Sequence, residues 1–78
     1  MHEIVLPELG EDINNAIVAK WHARPGDAVR EDDDVVEVVT DKATFHVPAG
    51  CRGKIREIRV PEGGTAEVGG VLGTVAPD

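Results

Sequence analysis

The sequence predicts an all-β fold: a flattened barrel or sandwich of two four-stranded antiparallel sheets with approximate two-fold symmetry. Three observations lead there. Valine and isoleucine supply seventeen residues against three leucines, and β-branched side chains favour strands. Nine glycines and five prolines are spread along the 78 residues, which punctuates the chain with turns. The two halves of the chain are weakly similar, the mark of a duplicated supersecondary unit.

Each half reads as four short strands. The first half predicts strands at about 3–7, 17–23, 28–30 and 35–40, and the second at about 43–48, 54–60, 65–67 and 71–76. A shift of 37 lays Val18 to Ala23 on Ile55 to Val60, Gly26-Asp27 on Gly63-Gly64, Val29 on Ala66, Val35 on Leu72 and Val38 on Val75. Both long strands carry apolar residues at i, i+3 and i+5. Strict alternation has period two, so a bulge is expected at the same place in each half. At the front of each half the shift is 41, which lays Ile4 to Pro7 on Phe45 to Pro48. The first half therefore carries four extra residues, within Glu8 to Asn15, expected as a surface loop.

Turns are expected at Pro25-Gly26-Asp27, Asp32 to Asp34, Pro61 to Gly64 and Gly69-Gly70. Gly26, Gly63, Gly64, Gly69 and Gly70 read as turn glycines with positive φ. Neither half can bury its own apolar face, so each sheet must cover the other. In the central hairpin, alternation points Val36, Val38, Ala43, Phe45 and Val47 inward and Glu37, Val39, Thr44 and His46 outward. Thr40 then opposes Ala43 across the two-residue tip Asp41-Lys42. That pair does not suit a type I′ turn. A slightly wider turn with Asp41 as a side-chain hydrogen-bonding partner is expected instead.

Size and charge narrow the function. One domain spanning 1–78 is expected, with one small core and no room for an enclosed catalytic cavity. The net charge of −7 argues against nucleic acid and against an anionic membrane. It is uneven: residues 1–41 carry eleven acids and three bases, residues 42–78 four acids and five bases. The longest apolar run, Ala16 to Ala19, builds neither a membrane span nor a signal peptide. Cys51 is the single cysteine and reads as a half-buried loop residue. His2, His22 and His46 lack zinc-ligand spacing, so no metal is expected. Glu31 to Asp34 lacks the pattern of a calcium loop. Gly63 to Gly70 lacks the Lys-Ser/Thr ending of a phosphate loop. Trp21 reads as core. No nucleophile, base and orienting residue come together, so no catalytic residue is expected.

Lys42 is the residue that carries function. It stands at the apex of the hairpin joining the two repeats. A solvated lysine stays protonated near neutral pH and is poor at acid–base work, yet a rigid tip makes it a good attachment point. The flanking residues resemble the lipoyl domains of 2-oxoacid dehydrogenase complexes, within the biotinyl/lipoyl attachment family. The resemblance runs through Pro7 to Glu11 with Ile13, Val18, Trp21, Pro25 to Val29 and Glu37-Val38. It is sharpest at Thr40-Asp41-Lys42-Ala43-Thr44-Phe45, and continues in Val47 to Ala49, Gly53 to Ile55, Glu62-Gly63 and Gly69.

The resemblance implies the barrel-sandwich hybrid fold, lipoic acid attached covalently to Lys42, and a carrier rather than an enzyme. Related biotin carriers place methionines around the lysine; Asp41 and Ala43 stand there here. A biotin carboxyl carrier and an unmodified assembly barrel remain the other readings. The implied partners are a lipoylating enzyme, a 2-oxoacid decarboxylase, an acyltransferase core and a dihydrolipoamide dehydrogenase, with Asp41, Ala43, Glu11 and Asn15 as recognition residues around the tip. Many members have acids where Asn15, Val39 and His46 stand, which bears on the choice of partner complex. The implied parent is the acyltransferase component, whose Ala/Pro-rich linker the end Val75 to Asp78 would suit. Met1 fits a native N-terminus. A monomeric domain in the bacterial cytoplasm or mitochondrial matrix is expected, since no targeting segment is visible.

Overall fold

In the computed structural model, which describes residues 1–77, the chain runs through eight strands. They are β1 (His2–Val5), β2 (Asn15–Trp21), β3 (Ala28–Val29), β4 (Asp34–Val39), β5 (Thr44–Pro48), β6 (Gly53–Ile58), β7 (Thr65–Glu67) and β8 (Val71–Pro77). One antiparallel sheet has the order β1-β8-β6-β3 and the other β5-β4-β2-β7. Exchanging each strand for its counterpart in the other half converts one order into the other. Each sheet thus takes two strands from each half, which is how two incomplete units bury each other.

The expected bulges fall at equivalent positions. Register slips between Val18 and Lys20 in β2, and between Ile55 and Glu57 in β6. A second equivalent pair lies at Val35 and Leu72, each skipped in the pairing of its strand with β5 or β1. Both residues are fully buried. The bulge turns an extra apolar side chain inward, which lets Val35 and Val36 share the core despite being neighbours.

The core is aliphatic: Ile4, Leu6, Val18, Val35, Val36, Val38, Ile55, Leu72 and Val75 are fully enclosed. Each such side chain contributes about 1.5–3 kcal/mol over its exposed state. Trp21 is buried as expected, and its Nε1–H donates to the Val60 carbonyl at 2.8 Å. Its ring lies against Gly73, where any Cβ would come within 2.9 Å of the indole.

Two turns clasp the halves together. The Gly26 N–H donates to the Ile55 carbonyl at 2.7 Å, and the Gly63 N–H donates to the Val18 carbonyl at 2.8 Å. The φ angles are +94° and +88°, a region open chiefly to glycine. Gly69 also has positive φ, but Gly64 and Gly70 do not, contrary to expectation. In each Gly-Gly pair the first residue takes the left-handed step and the second is crowded by nearby backbone. Gly50, with φ +81°, was not expected.

Three further expectations are corrected. Ala43 is exposed, not inward: it closes the tip with Thr40 and lies before β5 begins at Thr44. Asn15 is not in the loop; it opens β2, exposed, opposite Glu67 of β7. β1 stops at Val5: past the bulge at Leu72, Val5 pairs with Val71, where β8 itself begins. The remaining hairpin residues keep their predicted directions: Val36, Val38 and Val47 are buried and Phe45 is half-buried against the core.

Candidate functional site

The tip of the β4–β5 hairpin is held by one hydroxyl. Thr40 Oγ1 accepts from the backbone N–H groups of Lys42 and Ala43 and donates to the Ala43 carbonyl, each at 3.1 Å. The Thr40 N–H donates to the same carbonyl at 2.9 Å. No non-glycine residue among those described has positive φ, so the tip is not a type I′ turn. Thr40, not Asp41, supplies the side-chain hydrogen bonds. A threonine at the end of a strand pattern gave no sign of this role, because its partners are set by the turn geometry.

Lys42 projects from this tip with its side chain 57% exposed. Its Nζ lies 3.8 Å from Asp12 Oδ2, itself 85% exposed. A surface contact of that length contributes little to stability. Its value is positional: it places the long loop between β1 and β2 beside the tip, as the two-fold arrangement requires. Glu11 is exposed in the same turn, but Asp12 is the residue that meets Lys42. Asn15 and Asp41 line one surface groove of about 540 Å³ with Ala16, Ile17, Val39 and Thr40. Ile17 is half-exposed there. Ala43 stands on the tip beside Lys42. The sequence-predicted residues thus gather around one end of the molecule.

A family model described as "Biotin-requiring enzyme" (Biotin_lipoyl) matches residues 2–75. The chain belongs to the biotin/lipoyl attachment family. Within it, the solution structure of the lipoyl domain of the 2-oxoglutarate dehydrogenase complex from Azotobacter vinelandii superposes with a TM-score of 0.76 at 38% identity, covering 97% of this chain and 96% of that one. This lipoyl-type domain is also 47% identical over 73 residues to the dihydrolipoyllysine-residue succinyltransferase component of a 2-oxoglutarate dehydrogenase complex from Bartonella vinsonii subsp. berkhoffii, covering 94% of this chain and 18% of the relative. It is 43% identical over 67 residues to the dihydrolipoyllysine-residue acetyltransferase component of the pyruvate dehydrogenase complex of Bacillus subtilis (strain 168), covering 86% of this chain and 15% of the relative. The chain therefore spans less than a fifth of these relatives. As a lipoyl-type domain it is a carrier, and lipoic acid on a lysine is the modification its family implies.

Proposed function

We propose that Lys42 is the lipoyl attachment site and that the chain serves a 2-oxoacid dehydrogenase complex as its mobile carrier. The observation that carries this reading is the isolation of Lys42 at the apex of the β4–β5 hairpin, where among the described residues one exposed carboxylate, Asp12, pairs with it. The residues present fit a covalent lipoyl group: Asp41 and Ala43 on either side are exposed, and the Lys42 side chain is itself 57% exposed beside Asp12. When bound, lipoic acid supplies a dithiolane that takes up reducing equivalents and an acyl group. The protein's part is placement. Thr40 fixes the tip, the two sheets keep it rigid, and a long lysine side chain projects into water. Tethering a reactive group in this way raises its effective concentration at each site within reach.

The proposed partners are a lipoylating enzyme, a 2-oxoacid decarboxylase, an acyltransferase core and a dihydrolipoamide dehydrogenase. Glu11, Asp12, Asn15, Asp41 and Ala43 form the surface a partner meets as it reaches Lys42. Co-expression with a lipoylating enzyme tests the attachment directly. Intact mass is expected to rise by one lipoyl group, and the rise is expected to vanish in Lys42→Arg with the melting midpoint unchanged. Modification persisting at Lys20 or Lys54 overturns the assignment. A biotin adduct under the same conditions with a biotinylating enzyme, and no lipoyl adduct, overturns the lipoyl reading.

A further inference from the structure

Strand pairing brings together three residues that lie far apart in sequence. Glu37 in β4 and His46 in β5 are register partners. His22 follows β2, and its backbone N–H donates to the Val35 carbonyl at 2.8 Å, which sets it beside β4. Both imidazoles turn toward the same carboxylate oxygen. Glu37 Oε1 lies 3.1 Å from His46 Nε2 and 3.7 Å from His22 Nε2. The rings stack, with centroids 6.3 Å apart and planes 27° from parallel. One ligand atom from each of the three residues lies within 4.8 Å of the other two.

We propose that His22, Glu37 and His46 form a binding site for a divalent transition-metal ion, of which zinc is the one to test. The geometry is close to what coordination needs. Bonds of roughly 2.0–2.1 Å in a tetrahedral shell put neighbouring ligand atoms about 3.3 Å apart. The two contacts to Glu37 bracket that spacing, and the two imidazole nitrogens, within 4.8 Å of each other, would close by up to about 1.5 Å through side-chain rotation to share one ion. Both histidines stand half open to solvent, which leaves their side chains room to turn.

The donor set selects the class of ion. Two imidazoles and one carboxylate suit zinc, copper or nickel; magnesium and calcium prefer oxygen alone. Three protein ligands leave the remaining positions to water. The surroundings favour a cation. His22 also lines a groove with Asp27, Asp33 and Asp34. Lys20 brings an opposing charge, its Cα pairing with that of Glu37 across β2 and β4. The bulge between Val18 and Lys20 matters here as well: it resets the phase of β2, so that Trp21 turns into the core and His22 turns out beside Glu37.

The site lies on the outer face of the sheet that ends in the Lys42 tip. It does not depend on what Lys42 carries. Calorimetric titration of the untagged chain with zinc sulfate at about pH 7.5 tests it. Saturable one-to-one binding is expected. His22→Gln, Glu37→Gln and His46→Gln are each expected to weaken it by at least the roughly 10–100-fold that loss of an outer-shell partner costs. His2→Gln and Cys51→Ser are expected to bind as the parent does. Melting midpoints of all variants check that the fold is kept. As a readout free of any mutation, backbone amide shifts in the parent chain are expected to move around 22, 37 and 46 on adding zinc. Absence of saturable binding, unchanged affinity in both histidine variants, or loss confined to His2→Gln or Cys51→Ser overturns the site. Unchanged affinity in Glu37→Gln alone overturns the three-ligand assignment.

Discussion

Four glycines separate two causes of the same substitution cost. At Gly26 and Gly63 an added Cβ meets no atom within 4 Å. Their φ angles of +94° and +88° make the penalty one of backbone conformation alone. An L-residue held there costs about 1–2 kcal/mol. At roughly 4–8 °C per kcal/mol for a domain of this size, Gly26→Ala and Gly63→Ala should each lower the melting midpoint by about 5–15 °C. The two losses should also agree with each other, since the turns make equivalent bonds to Ile55 and Val18. Gly53 and Gly73 have ordinary φ but no space. A Cβ at Gly53 would overlap the Ala76 carbonyl, and one at Gly73 would lie 2.7 Å from the Glu57 carbonyl oxygen and 2.9 Å from Trp21. The obstacle at each is backbone of a paired strand, so relief requires β6 and β8 to part. Overpacking typically costs about 1–3 kcal/mol and occasionally more, and a clash with paired backbone falls at the upper end. Thermal unfolding followed by circular dichroism, with chemical denaturation for the weakest variants, gives all four values. Unchanged midpoints at Gly26 and Gly63 would refute the turn geometry. A Gly53→Ala loss no larger than that of Gly26→Ala would refute the close approach of β6 to β8.

Three other outcomes are expected. Exchanging Asp41 and Lys42 should abolish lipoylation, measured by intact mass, with little change in melting, because one step along the hairpin redirects the side chain; normal modification would show that the enzyme reads something other than position. Deleting residues 10–13 while keeping Leu9, which packs on the core, should leave lipoylation rates nearly intact and sharply slow reductive acylation by the cognate decarboxylase; equal losses in both rates would make the loop a structural support only. Thr74 Oγ1 is buried without a hydrogen-bond partner among the described residues, so Thr74→Val should raise stability by about 1 kcal/mol, and a lower melting midpoint would contradict that account.

The repeat made much of this fold legible. Shared bulges, paired clasp turns and eight short strands all follow from two offset copies of one apolar rhythm. Directions in the central hairpin followed from alternation, except at Ala43, where the tip has already left the sheet. What stayed hidden depended on angle or on distant pairing. Two adjacent glycines carry no mark of which one takes positive φ, so Gly64 and Gly70 were misread. Gly50 stands where the repeat offers no counterpart. Thr40 gained its role from a turn shape that composition does not encode. The approach of Asp12 to Lys42, and the gathering of His22, Glu37 and His46, exist only once strands from both halves pair. Linear spacing argued against metal ligands because the strands that assemble them are separated by long stretches of chain.

The two-fold relation has a mechanical consequence. The offset of 41 sets Lys42 against Met1, so the hairpin tip is the counterpart of the paired chain ends, where His2 faces Val75. β1 leads away from those ends, and the loop that follows it brings Asp12 to Lys42. Tip and ends therefore occupy opposite poles of a body 36 Å in its longest dimension. Under the proposed carrier role, a tether joined at the ends would pull on one pole while an enzyme engaged the other. The folded body then acts as a stiff spar, adding its own length to the reach of the lysine side chain. Strain in the tether and fit at the tip become separate variables, so either can change without disturbing the other.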